Sequence, residues 1–219
     1  PGSRELDDEM RLGEIVMEGP LTVEVRCRGV GGGKADDEAL GEAACGDNFN
    51  EVRRLLAAGA NVNTSNVARN VRRRSPMVCE GNTPLHLSAL KGHVEVSELL
   101  VTAGVNVDAM DNNWHTALHL SAAEDHAEMI RMLIGAGANI NVTNADGSTP
   151  LHLAALWGGV GACQMLVELG ANIHATDVQG KTPRDIAITH YSSHHMEIVT
   201  FLQESQPLTK SAAQGGADQ

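Results

Sequence analysis

Residues 81–104 decide the fold, and they read GNTPLHLSALKGHVEVSELLVTAG. Thr83 is a residue type that caps helix N-termini, and Pro84 suits the first helical position because the N–H that proline lacks has no helical partner there. Gly92 interrupts the helix that follows. The spacing of apolar residues then predicts a second helix over 94–102, with a glycine after it where a left-handed C-terminal cap is expected.

The same frame recurs every 33 residues along the chain. A period held through several intervals indicates a repeat architecture, in which each repeat is one small unit stacked on the next. The equivalent residues are Thr83, Thr116, Thr149 and Thr182, then Gly104, Gly137 and Gly170, then His86, His119 and His152.

This frame closely resembles the ankyrin repeat, whose signature Thr-Pro-Leu-His-x-Ala also returns with a 33-residue step. The resemblance covers about residues 36–205. It implies an all-α solenoid, the alpha horseshoe, with β-hairpin loops and about five repeats including N- and C-terminal caps. The repeats are expected at 36–63 (the cap), 81–113, 114–146, 147–179 and 180–205.

Several places depart from the repeat frame. The capping repeat has Glu38 where the other repeats have threonine, and an arginine-rich insertion of 12 residues lies within 64–80. The last repeat replaces Leu-His by Arg184-Asp185 and gains three residues near 191–193. Trp114 stands at the hairpin-tip position that is Gly81, Gly147 and Gly180 elsewhere.

The flanks of the repeats carry weaker signals. Residues 1–3 resemble a cloning remnant, and residues 4–35 form an extension of the solenoid. Alternating apolar residues predict a strand over 21–27, and glycines predict a flexible linker over 29–34. The polar tail at 206–219 is expected to be disordered.

Composition narrows the classes of partner and compartment. The formal net charge is −12, which repels phosphate backbones and favours a protein partner with a basic face over nucleic acid. The four cysteines are far apart, which argues against a zinc site or a disulfide framework and favours the cytoplasm or nucleus. The absence of long apolar runs predicts no membrane span. A monomer is expected.

Catalytic chemistry has little support in the sequence. The segment from Arg28 to Lys34 is rich in glycine, yet it lacks the first glycine of a phosphate loop and has Ala35 after the lysine. The repeat-frame histidines are expected to tie neighbouring loops by hydrogen bonds, as the ankyrin resemblance implies. His194 and His195 have no third ligand at metal-binding spacing. We therefore expect no enzyme activity, no metal and no cofactor.

The resemblance implies a binding surface made of the first helices and hairpin tips of the repeats. An aromatic anchor dominates many interfaces, and the frame does not require tryptophan at position 157. The insertion also contains Ser75 before a proline, a candidate phosphorylation site. The predicted partner-binding residues are Leu90, Lys91, Asn113, Trp114, His115, Glu124, Leu156, Trp157 and Ile188.

Two further functional hypotheses stay open. The chain can be a regulatory or targeting domain of a larger enzyme or ubiquitin-ligase polypeptide, a hypothesis that the resemblance of residues 1–3 to a cloning remnant and the unusual segment before the repeats keep open. It can also be an enzyme whose site lies within residues 4–35. The leading hypothesis remains an adaptor, scaffold or inhibitor that holds another protein.

Overall fold

The computed structural model describes residues 34–65, 81–190 and 192–205. Within these ranges every regular element is an α-helix, and the loops between helix pairs are hydrogen-bonded turns without regular strands. The strand expected at 21–27 and the tail at 206–219 lie outside the described residues. The helices are α1 (Lys34–Cys45), α2 (Phe49–Ala57), α3 (Pro84–Lys91), α4 (Val94–Thr102), α5 (Ala117–Ala123), α6 (Ala127–Gly135), α7 (Pro150–Trp157), α8 (Val160–Glu168), α9 (Pro183–Ile188) and α10 (Ser193–Glu204).

Local chemistry sets the helix boundaries where the sequence predicts them. Thr83 is extended and precedes α3, which begins at Pro84. Gly92 then adopts a left-handed conformation with φ of 74° and ends the helix. The second helix of this repeat spans Val94–Thr102, as predicted, and Gly104 has φ of 86°.

The capping repeat forms a helix pair, but its first helix starts earlier than expected. The linker is expected to include residues 29–34, but Lys34 already belongs to α1, so the predicted boundary is one residue too late. Glu38, which stands at the position of the capping threonine, lies inside α1 and therefore does not mark the start of a helix. The reason is local: no glycine or proline follows Gly33 until the helix is well formed, and Asp36 and Asp37 favour its N-terminal turn.

The helices form two layers with one continuous apolar core between them. The first helices of the repeats (α1, α3, α5, α7 and α9) pack closely in sequence order, whereas the second helices (α2, α4, α6, α8 and α10) are farther apart. A stack with one layer more tightly spaced must curve towards that layer. The first helices therefore lie on the concave side and the second helices on the convex side.

Histidines near the turns of three helix pairs, α3–α4, α5–α6 and α9–α10, join neighbouring repeats, and their bonds span both insertions. His126 Nε2 donates to the Leu90 carbonyl, 36 residues back, at 3.2 Å. His93 makes the same bond to Cys45 over 48 residues, and His195 bonds Leu156 over 39. The extra separations of 12 and three residues equal the predicted insertions, so the solenoid continues across both.

Candidate protein-binding surface

A buried threonine–histidine network supports the base of each interior hairpin. At His119, Nδ1 accepts the backbone N–H of Thr116 at 3.2 Å, and Nε2 lies 3.0 Å from the Ser148 carbonyl. Since a carbonyl can only accept, the proton resides on Nε2. His86 and His152 bond their neighbouring repeats in the same way. These three histidines have the structural role that the sequence predicts.

Burial keeps these imidazoles neutral. Loss of hydration lowers the pKa of His119 to about 4, and the same cause lowers the pKa values of His86 and His152. A neutral ring is required here because a proton on Nδ1 would face the donating N–H of the threonine.

Each hairpin tip is held by one side chain at its start. Asp111 Oδ1 accepts the N–H groups of Asn113 and His115 at 2.8 and 2.9 Å. Asn144 and Asp177 repeat this arrangement in the next two tips. Burial alone would raise the pKa of Asp111, but hydrogen bonds from His115 and from backbone N–H groups lower it overall. The tips are therefore ordered before any partner binds.

His115 belongs to this support and not to the exposed surface. Its side chain is only 13% exposed. Its Nε2 accepts from the Asn144 amide at 3.2 Å, which directs the Nδ1 proton towards Asp111, 3.5 Å away. Both ring nitrogens of His115 face the protein's own loops, so the residue supports the tip, and its contact with a partner stays a prediction.

Trp114 is the exposed residue of the same tip. Its side chain is 59% exposed, and its φ of 61° lies in the left-handed region. The equivalent residues Gly81, Gly147 and Gly180 have the same sign of φ without the steric conflict that a side chain brings there. A bulky residue in this conformation is a genuine outlier, and such strain is often found at functional positions.

Trp114→Gly is accordingly expected to raise the unfolding free energy by about 0.5–1 kcal/mol, because it relieves the left-handed conformation. Urea unfolding measures the change. Trp157→Gly is the matched control, and it should lower stability by about 1 kcal/mol because glycine is unfavourable in a helix. Destabilisation by Trp114→Gly would instead show that the indole stabilises its own hairpin.

A row of exposed side chains marks the C-terminal ends of the first helices. Lys91, Glu124 and Trp157 occupy equivalent positions in successive repeats, and each is exposed. Trp157 is the last residue of α7 and is 53% exposed, while Leu156 beside it is half-buried. Trp157 is thus exposed to solvent at the end of a first helix, in the layer that forms the concave side.

The predicted exposure of two residues near this row, Leu90 and Ile188, needs correction. Leu90 is only 2% exposed, because α3 lies between α1 and α5 and all its residues from Pro84 to Leu90 are buried. Ile188 is 44% exposed, but one repeat earlier its position holds Ala155, which is fully buried between first helices. Its exposure arises because no described first helix packs beyond α9.

Histidines of the last repeat lie beside the turn that follows Trp157. A Cβ built on Gly158 would approach His195 Cε1 to 3.2 Å, so the start of α10 closely covers this turn. His190 stacks on His195 with ring centroids 4.8 Å apart. Trp157 therefore has Glu124 on the preceding repeat and a histidine pair on the following one.

Sequence reasoning missed an apolar groove of about 400 Å³ on the convex side, between α2 and α4. Phe49 is 38% exposed at its edge, in a frame position that holds Val94, Ala127 or Val160 in other repeats. That aromatic substitution was the available signal. The lining residues are Phe49, Arg53, Leu56, Ala57, Leu99, Thr102 and Ala103.

The described part of the chain contains two cysteines, Cys45 and Cys163. Burial raises the pKa of the Cys163 thiol to about 12, which keeps it protonated and unreactive. Among the described residues, no three His, Cys, Asp or Glu side chains lie close enough to hold a metal. No helix in these ranges is long and apolar enough to cross a membrane. Ser75 lies outside the described residues.

Comparison with protein families agrees with this geometry. A family model described as Ankyrin repeats (3 copies) matches residues 40–144, and another described as Ankyrin repeats (many copies) matches residues 122–167. Together the matches span more than half of the chain and include the first three interior helix pairs and most of the cap. The protein is a member of the ankyrin-repeat family.

Proposed function

We propose that this protein is an adaptor, scaffold or inhibitor that binds another protein through its concave face and hairpin tips. Ankyrin repeats are in general protein–protein interaction modules. The specific role rests on this chain's own surface. We place the protein in the cytoplasm or nucleus, as a monomer before it binds its partner.

Trp157 is the observation that carries the proposal. The repeat frame uses lysine and glutamate at this position, so the indole has no required structural role. An exposed tryptophan offers a large, rigid contact area with little side-chain entropy to lose, and such residues are enriched among interface hot spots. The half-buried Leu156 beside it extends the apolar contact.

Charge suggests the character of the partner. Asp and Glu outnumber Lys and Arg by 28 to 16 in the sequence. Glu124, next to Trp157 along the row, is exposed. A partner with a basic face would be steered towards this surface, with association that weakens as salt rises.

The proposal is tested with a partner captured from lysate by the tagged protein and then purified. Trp157→Ala should weaken its binding by about 2 kcal/mol, or roughly 30-fold in Kd, the usual scale of a hot spot. Calorimetry gives the affinity, and urea unfolding of the same variant shows that the fold survives. Glu124→Lys should chiefly slow association and reduce its salt dependence.

The control must lie on the convex side and away from the groove beside α4. Glu168 in α8 meets both conditions, so Glu168→Ala should leave affinity unchanged. Normal binding by Trp157→Ala together with lost binding by a Phe49→Ala variant would move the interface to the convex groove and refute the concave one.

A further inference from the structure

The hairpin tips of three successive repeats form a continuous row. The Ala145 N–H donates to the Asn113 carbonyl at 3.2 Å, and the Val178 N–H donates to the Asp146 carbonyl at 3.0 Å. Each tip is thus fixed to the next by a backbone hydrogen bond. A side chain on one tip has a defined neighbour on the following tip.

The glycine tips show which neighbour Trp114 has. A Cβ built on Gly81 would lie 3.1 Å from the Asn112 nitrogen, and one built on Gly147 would lie 3.0 Å from the Val178 nitrogen. Trp114 has the equivalent position and the same backbone conformation. Its Cβ therefore points at Ala145, whose small side chain leaves room for it.

This arrangement carries an indole and a carboxylate on two tips that are joined by a backbone hydrogen bond. Asp146 follows Ala145 directly and is exposed, and so is Trp114. Asn144 holds the Asp146 N–H at 3.0 Å, so the backbone that carries the carboxylate is ordered. An aromatic face beside a carboxylate on rigid loops is suited to a planar cation, which can stack on the ring and donate to the oxygens.

We infer that Trp114 and Asp146 form a receptor for an arginine side chain of the partner. The inference rests on the proposed protein-binding function and adds a specific contact at the tips, separate from Trp157. Arginine fits better than lysine because its flat guanidinium stacks on an indole and reaches a carboxylate with two donors. The acidic charge of the whole chain favours a cationic guest over an apolar one.

The test needs no identified partner. The chain has two tryptophans, so its NMR spectrum contains two indole N–H signals, which Trp114→Gly and Trp157→Ala assign. The probe is the peptide acetyl-Gly-Arg-Gly-amide, and its uncharged citrulline analogue is the comparison. The arginine peptide should shift the Trp114 signal in a saturable way, and the citrulline peptide should leave it in place.

Matched variants separate this site from general acidity. Asp146→Asn should weaken binding of the arginine peptide by about three- to five-fold, the scale of an exposed cation–π or ion-pair contact. Glu168→Gln removes one negative charge from the convex side and should leave the titration unchanged. Equal shifts with both peptides, equal effects of both variants, or movement of the Trp157 signal alone would overturn the inference.

Two outcomes distinguish this inference from the proposed function. If Trp157→Ala impairs binding of the purified partner while Asp146→Asn does not, the tip receptor is wrong and the concave interface stands. If the Trp114 signal responds to the peptide only after Arg72, Arg73 and Arg74 are replaced by alanine, the chain's own insertion is the guest and the partner assignment is refuted.

Discussion

Replacing His119 by alanine is expected to lower the unfolding free energy by about 3 kcal/mol or more. His119 and Thr116 are fully buried, and Ser148 is nearly so. Loss of the ring leaves the Thr116 N–H and the Ser148 carbonyl without their partner and opens a void between two repeats. Each buried polar group without a partner costs about 1–3 kcal/mol.

Urea unfolding at pH 7 measures this effect, and His174→Ala is the matched control. His174 is exposed at the end of its repeat, so its loss should change stability by less than about 0.5 kcal/mol. Equal stability of the two variants would show that the His119 ring does not join repeats 114–146 and 147–179.

Acidification from pH 7 to pH 4 is expected to lower the unfolding free energy by about 3 kcal/mol through His119 alone. Burial lowers the pKa of His119 to about 4, whereas the residue has its ordinary pKa of about 6.5 in an unfolded chain. Below about pH 6.5 the unfolded state therefore binds a proton that the folded state does not. This stability is present above pH 6.5, falls towards pH 4, and changes little below that.

His86 and His152 act in the same direction, because burial lowers their pKa values too. The measurement is a series of urea unfolding curves between pH 7.5 and pH 4 for the natural protein and for His119→Gln. Carboxylates titrate in both proteins, so their contribution cancels in the difference. The stability advantage of the natural protein over the variant should shrink as pH falls. A pH-independent difference would contradict the assignment of His119 as a buried neutral base.

The sequence by itself determined the 33-residue repeat and the helix bounds within a complete repeat. Threonine, proline and glycine act on the backbone within one or two residues, so α3 and α4 have the bounds that the pattern predicts. A 33-residue step also places each frame histidine against the next repeat, because identical units stack in one way only. The insertions were readable as interruptions of that step.

Local pattern was less reliable where the frame is incomplete. The helix of the capping repeat begins at Lys34, because no glycine or proline directly follows Gly33 and because Asp36 and Asp37 favour the first turn. In the junction that has Gly159 instead of histidine, Asp125 Oδ1 accepts the Ala162 N–H at 2.6 Å and joins the same two repeats from the other side. A repeat pattern shows that a residue is missing, but it does not show which side chain replaces it.

Exposure was decided by tertiary structure alone. Leu90 and Leu156 occupy equivalent positions in their repeats, yet Leu90 is fully buried whereas Leu156 is only half-buried. Whether a side chain meets solvent depends on the helices and loops that flank it, and these come from other repeats. For the same reason, three further features follow only from the stacking of repeats: the burial of most of His115, the convex groove at Phe49, and the position of Trp114 beside the Ala145–Asp146 tip. Each of these features joins residues that no single 33-residue unit contains.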